Sequence, residues 1–76
     1  MGAKLPHISG KDAVRAFAKV GFVVHDRRGK GSHVVMVREE PRSLLSIPQH
    51  RELAPGTLRA LIRDADMTVD EFVELL

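Results

Sequence analysis

The chain has no cysteine, no tryptophan and no tyrosine. Without cysteine there is no disulfide framework, no thiol nucleophile and no thiolate zinc site. A chain this short that does without disulfides suits a reducing cytoplasm. With three phenylalanines as its whole aromatic complement, a surface of stacking rings for single-stranded nucleic acid is not expected. Long apolar runs are missing too. The longest is the four residues Val34 to Val37, against roughly 20 for a membrane span, so no membrane association is expected. The opening Met-Gly-Ala-Lys-Leu-Pro has no apolar stretch after its lysine, which argues against a signal peptide.

What is present is ordinary globular material, 43% hydrophobic and 29% charged over 76 residues, and the whole of 1–76 reads as one small domain. The net charge of +2 conceals a division. Residues 1–38 carry a balance of +6, and residues 39–76 a balance of −4. So polarised a chain is suited to meet an anion with one part of its surface.

Ser9-Gly10-Lys11-Asp12 reads as a capped helix start. Ala13, Val14, Phe17 and Ala18 give an apolar face to a first helix running from Gly10 to about Val20. Lys11, Arg15 and Lys19 recur on another face as a basic stripe, and Gly21 supplies a left-handed stop. Phe22 to Asp26 reads as a strand, Arg27 to Gly31 as a basic turn, Ser32 to Arg38 as a second strand. Glu39 to Arg42 is a polar turn and Ser43 to Ile47 a third strand, ended by Pro48. Short connections make the three strands an antiparallel meander. Phe22, Val24, Val35, Val37, Leu45 and Ile47 form the expected core set, although the pattern does not settle which face is buried.

Pro55 opens a second helix with Leu58, Leu61, Ile62 and Ala65 on its apolar face. Thr68 with Glu71 is a capping box for a short third helix, whose Phe72, Val73 and Leu76 would fold back onto the core. The expected fold class is α+β. A three-stranded antiparallel sheet is covered on one face by helices. The α-β-β-β-α order, with a short C-terminal helix added, is that of a double-stranded RNA-binding domain.

The densest chemical signal is Arg27-Arg28-Gly29-Lys30-Gly31-Ser32-His33. Glycines let the backbone approach a ligand, and cations beside exposed N–H groups suit a phosphate. An imidazole, with an ordinary pKa of about 6.5, can shuttle protons beside a phosphodiester. RNA supplies its own nucleophile, the 2′-hydroxyl, so such a site needs no metal or other cofactor. By itself, a Gly-Lys-Gly turn with arginines is most often just a solvated hairpin. His25 could face His33 across the hairpin if the register allows. The scattered histidines lack zinc-site spacing, and the acidic residues after Asp64 read as solvated helix surface or a partner-binding edge.

Taken in order, these pieces resemble the HicA toxins, the mRNA-cleaving component of HicAB toxin–antitoxin systems. The resemblance rests on Leu5-Pro6, Ser9-Gly10-Lys11, Gly21-Phe22, Gly31-Ser32-His33, Ile47-Pro48 with His50, and Glu52-Leu53. It continues through Pro55-Gly56-Thr57-Leu58-Arg59 and the segment from Thr68 to Leu76. It implies a fold like that of a double-stranded RNA-binding domain. It also implies a ribonuclease whose catalytic residue is His33, and a HicB-type antitoxin partner that covers the site in a hetero-oligomer. The expected activity is that of a cytoplasmic, metal-independent endoribonuclease acting on mRNA. His33 would be its acid or base, and Arg27, Arg28, Lys30, Gly31 and Ser32 would hold the RNA. A non-catalytic module gripping structured RNA by shape is the competing reading.

Overall fold

A computed structural model describes residues 4–28 and 33–76, with the backbone alone for 26–28. The order is α1 (Gly10–Ala18), β1 (Val23–Arg28), β2 (His33–Glu39), β3 (Arg42–Pro48), α2 (Pro55–Asp64) and α3 (Val69–Val73). The strands form one antiparallel sheet in the order β1-β2-β3. Helices cover one face of it, as the α+β reading expects.

Local chemistry sets the helix ends. Ser9 accepts from the Asp12 N–H at 3.0 Å while Asp12 accepts from the Ser9 N–H, a reciprocal cap. The Phe22 and Gly21 N–H groups donate back to the Phe17 and Ala18 carbonyls, with Gly21 at φ +96°. Only glycine takes that conformation without steric cost. At the end of α2 the same pattern of bonds runs from Asp66 to Arg63 and from Met67 to Ile62, with Asp66 at φ 62°. Thr68 and Glu71 make the second reciprocal cap.

The buried faces differ from expectation at four places. On α1 the inward set is Ala13, Ala16 and Phe17, while Val14 is half-buried and Ala18 exposed. On β2 it is Val34 and Met36, not Val35 and Val37, that join the helix-side core. They stand opposite Ile47 and Leu45 of β3, so all four share one face. Val24 lies at the sheet edge and is 38% exposed. At the C-terminus Leu75, rather than Leu76, packs on the core. The α2 face is as the spacing requires, with Leu58, Leu61, Ile62 and Ala65 all buried. Phe17 joins the layers, meeting Phe22 edge-on at 5.7 Å and Phe72 at 5.0 Å.

The strands run longer than the sequence pattern indicates. β1 continues through Arg27 and Arg28, and β3 takes Pro48 into the ladder. β3 is an edge strand, where proline's missing N–H is tolerated. His25 is the extra residue of a bulge between Val24 and Asp26.

At one end of the sheet, Arg38 ties the layers together. It donates to the Pro41 carbonyl at 2.8 Å and to the Ala65 carbonyl at 3.2 Å, and lies 4.5 Å over the Phe22 ring. Ser43 Oγ donates to the Asp64 carbonyl at 2.6 Å beside it.

Candidate nucleic-acid interface

His33 opens β2 at the opposite end. Its neighbour Val34 points into the core, so alternation puts His33 on the face that the helices leave uncovered. It is half-buried there. In the ladder its Cα pairs with Arg28 of β1 on one side and with Pro48 of β3 on the other. Arg27 stands opposite Val34. The two arginines expected in a turn are therefore strand residues, one of them in direct register with His33. Lys30, Gly31 and Ser32, the remaining predicted RNA-holding residues, lie outside the described residues.

His25 does not face His33. The bulge places it between residues paired with Met36 and Val35, well along β2 from His33. His7 is engaged elsewhere, its Nδ1 2.9 Å from Glu52 Oε2. Among the described residues no three histidine, aspartate or glutamate side chains are grouped to hold a metal ion.

Residues that the sequence did not link to His33 arrive at the same end through backbone contacts. The Gly10 N–H donates to the His50 carbonyl at 2.9 Å. Gly10 sits so close to the end of β3 that a Cβ on it would collide with the Pro48 carbonyl oxygen and come within 2.9 Å of Gln49 Cα. Glycine is thus required by approach of two backbones rather than by its dihedral angles. Two residues before Gly10 and three after His50 the lead-in and the loop are joined again, the Leu53 N–H donating to the Ile8 carbonyl at 2.8 Å. The start of α1 is fastened to the end of β3, and Lys11 comes with it.

Lys11, Val14, Arg15 and Gln49 line a shallow groove of about 230 Å³ at this junction. Lys11 and Arg15 are exposed, with Arg15 in a surface ion pair to Asp12 at 3.6 Å. Such a pair is screened and weak, so it leaves the guanidinium available to an anion. Lys19 ends the stripe at the far side, donating to the Leu75 carbonyl at 2.7 Å. No charged or polar residue is buried among the described residues, so the charge of this end is presented outward.

A comparison with curated proteins returns no match. A family model described as the HicA toxin of bacterial toxin–antitoxin matches residues 10–67. The match starts at the first residue of α1 and ends just beyond α2. It takes in the whole sheet, His33 and the fastened end of β3. With three-quarters of its length accounted for in this way, the chain belongs to the HicA family, and is a toxin of a toxin–antitoxin system.

Proposed function

We propose that this toxin is an endoribonuclease that cleaves mRNA without a metal, with His33 as an acid–base catalyst. The observation that carries the reading is the position of His33. It stands on the open face at the start of β2, with Arg28 in Cα register beside it. The +6 half of the chain contributes α1, β1 and β2 around it.

The chemistry requires little of the protein. The 2′-hydroxyl loses its proton to a base as O2′ attacks phosphorus. The P–O5′ bond breaks, and O5′ takes a proton from an acid. The products are a 2′,3′-cyclic phosphate and a 5′-hydroxyl. His33 serves one of those transfers. Arg27, Arg28 and Lys30 offset the charge gathering on the phosphorane, with Gly31 and Ser32 completing the phosphate loop. Lys11 and Arg15 guide the RNA backbone past the groove at the start of α1.

The partner is a HicB-type antitoxin that neutralises the toxin by covering His33, and the pair acts in the cytoplasm. Purified protein incubated with RNA in EDTA and run on a gel tests the activity. Wild type is expected to cut. His33→Ala is expected to lose about 1,000-fold or more in rate with an unchanged circular dichroism spectrum. A retarded band without fragments from the wild type would assign a non-catalytic RNA-binding module instead, and cleavage abolished by EDTA would overturn the metal-free route.

A further inference from the structure

Transfer through the 2′-hydroxyl involves two proton movements on opposite sides of one phosphorus, and the assignment above fills one of them. We infer that His50 supplies the other, working across the phosphodiester from His33; the inference rests on the ribonuclease reading.

The placement follows from the ladder. His33 is opposite Pro48, and His50 lies two residues further along the chain. Inside an antiparallel ladder an offset of two separates Cα atoms by about 7–8 Å; His50 is the second residue beyond the last pair, so that figure sets the scale of the gap and not its measured length. Gln49 lies between, and its amide is on the helix side, within contact of Gly10 and donating to the Ile47 carbonyl at 3.1 Å. His50 follows it and is exposed. Two imidazoles on that scale of spacing would leave room for a phosphate between them, one ring toward each in-line oxygen.

The backbone at His50 is held in place. Its carbonyl accepts from the Gly10 N–H, and the close passage of Gly10 against Pro48 and Gln49 fixes the approach of α1. A surface residue after a strand end is usually free to wander; this one is attached to a helix N-terminus. The other histidines are placed badly for the task, His7 against Glu52 and His25 at the bulge.

In the reaction one imidazole takes the 2′-hydroxyl proton while O2′–P forms. The other gives its proton to O5′ as P–O5′ breaks. The two rings end with their protonation states exchanged, and water restores them.

The test is cleavage in EDTA by full-length wild type, His33→Ala, His50→Ala and His50→Gln, with kcat/KM followed against pH. RNA affinity is measured in parallel, in the His33→Ala background with and without His50→Ala. Because the Gly10 bond uses the backbone carbonyl, both His50 variants are expected to fold. His50→Ala and His50→Gln should each lose about 100-fold or more with affinity within about twofold. The two-limbed pH profile should lose one limb. An oligonucleotide with sulfur replacing the bridging 5′ oxygen has a leaving group that needs no acid. It should restore whichever variant lacks the acid.

If wild type cuts, His33→Ala does not, and the His50 variants cut within about threefold of wild type, the inference fails and the His33 assignment survives. An unchanged two-limbed profile, or a loss of rate matched by a loss of affinity, also overturns it. Failure of wild type to cut removes both readings together.

Discussion

The two ends of the sheet use their charges in opposite ways. At the end where β2 finishes, half-buried Arg38 is tied to the fold by two carbonyls and an aromatic ring. Around it Asp66, Asp70, Glu71 and Glu74 line an open groove of about 680 Å³ together with Val20, Met67 and Leu75. At the end where β2 begins, Lys11 and Arg15 stand on the surface beside Gln49, the residue after His33's partner Pro48. The lesson is that a cation's role is set by what its neighbours leave unsatisfied. Arg38 completes the orphan Ala65 carbonyl at the end of α2 and the Pro41 carbonyl of the β2–β3 turn, whereas Lys11 and Arg15 complete no carbonyl among the described residues and can be given to a ligand.

That contrast predicts a separation of function from stability. The largest effect belongs to the His33 end. His33→Ala should remove cleavage while its thermal midpoint stays within a degree or two of wild type. A midpoint that collapsed instead would mean the His33 end is structural. Next, Arg38→Ala should cost about 2 kcal/mol, from lost charge-assisted hydrogen bonds and the ring contact. In a chain of this size that is a fall of about 10 °C in the melting midpoint. RNA affinity per folded molecule should not change, and a specific loss of RNA binding would break the comparison.

A smaller effect is expected from Lys11→Ala with Arg15→Ala. If both touch phosphate, the slope of log affinity against log salt should fall by about 1.5, read on non-cleaving His33→Ala protein. An unchanged slope would reduce the stripe to solvated surface. The smallest is Thr68→Ala, which removes the α3 cap and should cost about 1 kcal/mol by denaturant melting. It should leave cleavage untouched.

What was legible in the sequence was what is decided locally. Both capping boxes, the Gly21 stop and the whole apolar face of α2 follow from spacing within a few residues. Arg27 and Arg28, basic residues beside Gly29 and Gly31, carry turn chemistry in their local sequence. The ladder nonetheless continues through them, because pairing to Val34 and His33 outweighs a local preference. The buried face of α1 lies one row from the expected one, since several alanines and a valine fit two alternative stripes equally well. At the candidate site, the motif marks His33 but not its surroundings. Its nearness to Arg28 and to the end of β3 is not written in the local pattern, because register and the Gly10–His50 bond join residues distant in sequence. A glycine at a helix's first turn was the available signal, and it reads the same whether it is there for the helix or for a passing strand.

The run of four apolar residues in β2 has a consequence for where chemistry can stand in this fold. A strand that is apolar on both faces could slip by one residue and still offer a core, with Val35 and Val37 inside in place of Val34 and Met36. Such a slip would turn His33 under the helices. β2 does not choose its own face; β3 does, because Ser46 between buried Leu45 and Ile47 gives that strand only one acceptable side. The orientation of the proposed catalytic imidazole is thus specified by a strand that does not contain it.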